Sequence, residues 1–179
     1  EFLMRNHGKL VNRIALAEAP HGRGTVGFVQ VHPNSRNVIP GRVKLTVDLR
    51  HLDAAGLDRM EQALHASCEA IGGSVKTRLG GIGIDVKLAT QFPPCAFEGA
   101  CVGAVRDAAA ALELPTLDIV SGAGHDAVYV ARTCPTAMIF VPCKDGISHN
   151  EVEDARPEHL EAGGNVLLHA MLARAGTGS

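Results

Sequence analysis

The run Ala137-Met138-Ile139-Phe140-Val141 constrains the fold more than any other stretch, because five apolar residues stand together without a polar break between Pro135 and Pro142. A run this short and uniform predicts a strand buried on both faces, as in a parallel sheet covered by helices. Just upstream, Gly122 and Gly124 flank Ala123 and lead into His125 and Asp126; downstream the chain passes Pro142 and Gly146 to reach His149. A histidine just past the carboxyl end of a buried strand stands where open α/β sheets place their ligand sites. Residues 121–153 therefore hold nearly all the chemistry the sequence offers.

The remaining elements can be read from periodicity. In residues 4–19, Leu10, Ile14 and Ala17 recur at helical spacing and end at Pro20 and Gly22, which predicts a short helix. Residues 25–31 read as a strand closed by Pro33, Asn34 and Ser35. Val43, Leu45, Val47 and Leu49 then alternate with Lys44, Thr46, Asp48 and Arg50, a half-buried strand with Arg50 on its polar face. After Asp53, the positions Leu57, Met60, Leu64, Cys68 and Ile71 predict an amphipathic helix stopped by Gly72-Gly73. Residues 75–89 follow as a strand region weakened by Gly80, Gly81 and Gly83.

Pro93-Pro94 halts both helix and ladder and divides the chain into two expected domains, 1–91 and 92–179. Beyond it, Val102, Val105, Ala109 and Leu112 make a helix face, residues 116–120 a second short strand, and a further helix starts near His125. The last helix begins at Pro157, carries Glu158 in its first turn, and runs through Leu160, Val166, Leu167, Ala170 and Met171 to Gly176.

Composition removes several classes of function. A net charge of −2, an aromatic share of 3% and the lack of tryptophan leave neither a basic footprint nor stacking platforms for nucleic acid. No apolar stretch approaches the ~20 residues that span a bilayer, and the start shows no signal-peptide pattern, so the cytoplasm is the expected location. Five cysteines, none spaced C-x-x-C, signal neither a disulfide framework nor a zinc ribbon and read as reduced and mostly buried. The opening Glu1-Phe2 reads as a cloning remnant.

Four strings occur in a telling order: NVIPG from Asn37, DLR from Asp48, SGAGHDA from Ser121 and PCKDGISHNEVE from Pro142. Together they resemble the dinuclear metal-dependent amidohydrolases of the M20 peptidase superfamily, in the branch of N-carbamoyl-L-amino-acid hydrolase, β-ureidopropionase and allantoate amidohydrolase. The resemblance implies an α/β fold: an incomplete ferredoxin-like lid, or dimerisation, domain lacking its first strand, then the carboxy-terminal part of a dinuclear-metal hydrolase domain. It implies hydrolysis of the amide or ureido C–N bond of N-carbamoyl-L-amino acids or similar ureido acids at two divalent ions. Zinc or manganese is expected, and cobalt or nickel would also suit a mixed His and carboxylate site.

The same resemblance assigns roles. His149 matches a metal ligand, and His125 matches a residue lining the substrate pocket that steadies an oxyanion or the substrate's acid group. Gly124 offers its backbone beside it. Asn37 and Arg50, thirteen positions apart, match the pair that grips the substrate carboxylate and points toward the partner's pocket in a homodimer formed through the lid. The other ligands and the general base belong to motifs not found here, so the isolated chain is expected to be inactive and could bind no metal.

Plainer readings stand beside these roles: His125 as a brace for the following helix, Arg50 as a solvated strand charge, Asn37 as a turn residue and Asp126 as a structural partner. Glu151 and Glu153 could orient the His149 ring. His7, His21, His32, His51, His65, His159 and His169 read as surface, turn or helix-face residues. A second function of a different class, an inert dimerisation and substrate-clamp module, fits the same strings, as does an aminoacylase or dipeptidase within the enzyme class.

Overall fold

The computed structural model describes residues 2–77 and 80–176, the side chains of residues 2–7 and 77 excepted. The chain divides into two compact units, Glu1–Pro94 and Cys95–Ser179. No helix among the described residues is long and apolar enough to cross a membrane.

The first unit runs α1 (Phe2–Ala17), β1 (Arg23–His32), β2 (Arg42–Arg50), α2 (Ala54–Ser74), β3 (Lys76–Thr77) and β4 (Gly80–Gly81). The side chains of β2 alternate strictly between exposed and half-buried along its nine residues, as the period of two predicts. It pairs antiparallel with β1, Arg23 opposite Arg50 and His32 opposite Arg42, and the register shifts between Val26 and Phe28, where Gly27 is the extra residue of a bulge.

The core of this unit is small. Ile14 and Ala15 of α1 and the fully buried Met60 of α2 meet, with Leu10, Leu49 and Leu64 packed around them. The α1 face differs from the predicted one, since Val11 and Ala15 are buried and Ala17 is exposed. The helix must present a stripe of adjacent i, i+3 and i+4 positions to its neighbours, and here the stripe is Val11, Ile14 and Ala15 with Leu10 beside it, which leaves Ala17 outside. Asp53 caps α2 by accepting a hydrogen bond from Gly56 N–H at 2.7 Å. The helix continues through Gly72-Gly73 to Ser74, which costs about 1 kcal/mol for each glycine relative to alanine and is offset by packing elsewhere along it.

The strand expected over 75–89 shrinks to the two-residue pieces β3 and β4, paired Lys76 to Gly81 and Thr77 to Gly80; Arg78 and Leu79 lie outside the described residues. The β1-β2 and β3-β4 ladders are separate two-stranded sheets. Glycines at 80, 81 and 83 bring no side chain to pack on a sheet face, and a strand's ladder bonds must come from another segment.

The second unit holds α3 (Gly99–Ala111), α4 (Asp126–Val130), a 3-10 turn at Lys144–Gly146 and α5 (Pro157–Ala175). Glu98 caps α3 by accepting from Cys101 N–H at 2.7 Å, and Pro157 opens α5. Ala108 and Ala109 of α3 pack against Val166 and Ala170 of α5, with Val105, Leu112 and Ile139 around them. Three apolar residues read from the sequence as the face of α5, Leu160, Leu167 and Met171, are exposed instead.

The two strands expected in this unit do not form: residues 116–120 and 137–141 carry no ladder among the described residues. Leu117 is 82% and Phe140 47% exposed, so the second run is not buried on both faces. Apolar character makes a segment fit for a sheet interior but supplies no neighbour, and pairing is non-local. The run instead lies along the helices. Ile139 joins the α3–α5 cluster, and Val141 packs on Gly163 of α5, with its Cγ1 only 2.5 Å from where a Cβ at 163 would stand.

That contact gives a test of the packing. Gly163→Val should lower stability by roughly 1–3 kcal/mol, because a β-branched neighbour cannot swing away, and Val141→Ala in the same chain should recover part of the loss. Urea unfolding midpoints of the single and double variants measure both effects.

Candidate functional site

Three of the five candidate residues, Gly124, His125 and His149, lie in the second unit, and Asn37 and Arg50 lie in the first. His125 is the residue that precedes α4, but its side chain makes no capping bond to that helix. Its ring is half-buried. Nε2 lies 2.6 Å from Ser121 Oγ, the same oxygen accepts from Ala123 N–H at 3.2 Å, and the ring stands edge-on to Phe140 with centroids 5.5 Å apart. When the Ser121 hydroxyl donates to Nε2, the ring proton sits on Nδ1, which is then a hydrogen-bond donor. The plainer reading of His125 as a brace for α4 thus gives way to a tie back to the glycine turn. Gly124 is exposed, with nothing within 4 Å of where its Cβ would stand.

His149 sits on an exposed turn and has a φ of 55°, a left-handed backbone uncommon for residues other than glycine and asparagine. Two neighbours share that conformation, Asp145 with φ 55° and Gly146 with φ 70°. The loop is closed at its base by Lys144 N–H donating to the Asp154 carbonyl at 2.7 Å. Glu153 does not orient the imidazole. Its Oε2 accepts from the His149 backbone N–H at 2.7 Å, and its Oε1 lies 3.9 Å from Cys143 Sγ. A charged acceptor on that N–H holds the left-handed turn that carries the ring.

The donor set does not make a metal centre on its own. Among the described residues no group of three or more His, Cys, Asp or Glu side chains could hold an ion. A stable site needs about three or four protein ligands.

In the first unit, Arg50 lies on the outward face of β2, half exposed. Its Nε and Nη2 donate to the two carboxylate oxygens of Asp48 at 2.7 and 2.9 Å, the side-on fork geometry of an arginine–carboxylate pair. The Arg50 hydrogen bonds hold the Asp48 carboxyl below the usual carboxylate range, against a smaller opposing effect of burial. Asn37 lies in the turn of the loop that joins β1 to β2, where Ser35 Oγ donates to its Oδ1 at 3.0 Å. Asn37 and Arg50 are therefore at opposite ends of the hairpin. With about 3.3 Å per residue, β2 alone separates them by roughly 26 Å, so one copy of the hairpin does not bring both to a single carboxylate.

His51, expected from the sequence to be a surface or turn residue, is instead turned inward. Its side chain is only 6% exposed, set between Glu18 and Asp53. The signal was its position directly after the alternating strand, which turns it inward.

Residues 8–173 match the profile of peptidase family M20/M25/M40. The chain is 42% identical over 167 residues to an N-carbamoyl-L-amino-acid amidohydrolase of Rhizobium meliloti, covering 93% of this chain and 39% of that one. It is 35% identical over 148 residues to a ureidoglycolate hydrolase of Oryza sativa subsp. japonica, covering 83% of this chain and 30% of that one. The crystal structure of an amidase of the hydantoinase/carbamoylase family from Burkholderia multivorans superposes with a TM-score of 0.84 at 57% identity, over 96% of this chain and 41% of that chain. The chain thus spans about two fifths or less of the length of these relatives.

Two outcomes follow from the geometry. Glu153→Ala should raise the hydrogen-exchange rate of the His149 amide by roughly fivefold or more, as expected on losing a charge-assisted bond, and two-dimensional NMR reads it directly. Asp48 binds its proton less readily in the folded chain than in the unfolded one. Its contribution to stability is therefore present above about pH 4 and is lost as the pH falls through and below that range. Asp48→Asn should flatten the acid limb of a plot of Tm against pH while leaving the slope above pH 6 unchanged.

Proposed function

Because the chain belongs to peptidase family M20/M25/M40, we propose that it is the carboxy-terminal portion of a metal-dependent amidohydrolase that cleaves the ureido C–N bond of an N-carbamoyl-L-amino acid or a similar ureido acid. The observation that carries this reading is its similarity along most of its length to hydrolases named for N-carbamoyl amino acids and for ureidoglycolate. Those compounds share a ureido group beside a carboxylate. Amidohydrolases of this family are generally metal-dependent, and zinc or manganese is the expected ion.

Each candidate residue has a task in this reading. Arg50 receives the substrate carboxylate, because a planar guanidinium matches two carboxylate oxygens in a way a lysine ammonium does not. His125 donates from Nδ1 to the oxygen that gains charge as the C–N bond is attacked, or to the substrate's acid group, with Ser121 fixing the ring and Gly124 leaving room beside it. His149 supplies one ligand to the metal centre. The further ligands and the general base come from outside residues 1–179, so no step through the metal is assigned to this chain.

The first unit acts as the lid and dimerisation domain. The hairpin keeps Asn37 and Arg50 at its opposite ends, so the two can meet at one carboxylate only if they come from two copies. A homodimer through this unit is therefore part of the reading.

Kinetics of the full-length enzyme on an N-carbamoyl-L-amino acid, read as ammonia release, test the proposal. Arg50→Lys should raise KM roughly tenfold with a smaller change in kcat, since the forked contact is lost while the reacting groups stay; unchanged kinetics would remove the clamp. His149→Ala should lower the bound metal measured by elemental analysis, and a full metal complement in that variant would take His149 out of the site. Subunits carrying Arg50→Ala mixed with subunits carrying Asn37→Ala should recover about a quarter of wild-type activity, because half the dimers are mixed and each mixed dimer has one intact site. No recovery on mixing would show that both residues act from the same copy.

A further inference from the structure

His51 directly follows Arg50 and ends the alternation of β2 on its inner side. Arg50 is half exposed, whereas the His51 side chain is 6% exposed. The ring closes a junction of three elements. Asp53 N–H, at the cap of α2, is directed at Nδ1 from 3.2 Å, and the Asp53 carbonyl oxygen at 3.2 Å and Oδ2 at 3.3 Å lie against the same nitrogen. In the tautomer that accepts from the Asp53 N–H, Nε2 carries the ring proton; it faces Glu18 Oε2, just beyond α1, across 3.9 Å. Glu18 is itself fixed by Arg59 of α2, through bonds of 2.8 and 2.6 Å. The His21 ring stands edge-on at 6.2 Å.

Gly56 gives the ring its space. It is the third residue of α2, and a Cβ there would fall on Nδ1 and Cε1 of His51. Alanine would otherwise be favoured at a helical position.

We propose that His51 is a positioning residue for Arg50: its ring, seated over Gly56, held against Asp53 and facing Glu18, fixes the end of β2 and so sets where the guanidinium is presented to a substrate carboxylate. This rests on the reading of Arg50 as the carboxylate clamp. The Asp48–Arg50 pair lies within one strand, two residues apart, so it sets the guanidinium relative to β2 but cannot set β2 relative to the rest of the unit. His51 makes that second connection, one residue from Arg50 and on the opposite side of the strand. A displacement of about 1 Å at a binding group is enough to cost affinity or rate.

The test uses His51→Ala, His51→Asn, Gly56→Ala and Arg50→Lys. The amide of an asparagine can take the place of Nδ1, so His51→Asn keeps an acceptor for Asp53 N–H. Hydrogen exchange of the Asp53 amide in the 179-residue chain should rise at least fivefold in His51→Ala and Gly56→Ala and stay near wild type in His51→Asn. In the full-length enzyme, KM for an N-carbamoyl-L-amino acid should rise at least fivefold in His51→Ala and Gly56→Ala, with kcat within twofold, and should recover in His51→Asn. The corresponding substrate amide, which lacks the carboxylate, should show the same KM in all of them. An unchanged KM in His51→Ala beside a raised one in Arg50→Lys overturns the positioning role and leaves the clamp standing. An unchanged KM in both overturns both. An equal rise of KM for the acid and for the amide also overturns the role, because it marks a general loss of structure.

Discussion

Side chains on β2 have only two environments, and everything in the first unit follows from which residue takes which. The odd-numbered Val43, Val47 and Leu49 turn toward the helices and the even-numbered Lys44, Asp48 and Arg50 turn outward. Leu49 thereby reaches the cluster of Ile14, Ala15 and Met60, while Asp48 and Arg50 stand side by side on the opposite face and pair. A shift of one residue would bury the ion pair and expose the leucine. Burying that pair would cost several kcal/mol per ion, so the register is strongly specified.

The second unit depends on turns rather than on a ladder. Its helices α3 and α5 approach through alanine and valine, and Gly163 lets Val141 lie close against α5. The functional candidates sit where the chain leaves that packed pair. His125 is tied to the glycine turn by Ser121, and His149 is set by a left-handed backbone held from Glu153. In the first case a short polar contact sets the direction of an imidazole, and in the second it holds the backbone that carries one; neither is a regular element. Such contacts tolerate little change in sequence, because each one involves a single named donor and acceptor.

The helices were legible because each carries its own hydrogen-bond partners. The spacing of Leu57, Met60, Leu64, Cys68 and Ile71 gave α2 and its buried face, and Pro157 with Glu158 gave the start of α5. The two apolar runs in the second unit were legible only as apolar. Whether residues 116–120 and 137–141 pair depends on a neighbour that their own composition does not name, and no ladder forms there among the described residues. The family, likewise, was visible in four short strings, since those strings are where its chemistry is concentrated.

What the amino-acid sequence determined by itself was everything periodic or local: α1, α2, α3 and α5, the alternation that puts Arg50 outward, and the residues that belong to the family's motifs. What only the tertiary structure decided was how those residues are held. It separated Asn37 from Arg50 by the length of a strand, moved the Glu153 carboxylate from the His149 ring to its backbone, and buried His51 over Gly56. The reason is the range of the forces involved. A helix closes its bonds within four residues in a repeating pattern that can be read; the turn bond of Glu153 to His149 spans as little but follows no repeat, and the seat of an inward imidazole such as His51 also depends on a distant segment, that of Glu18.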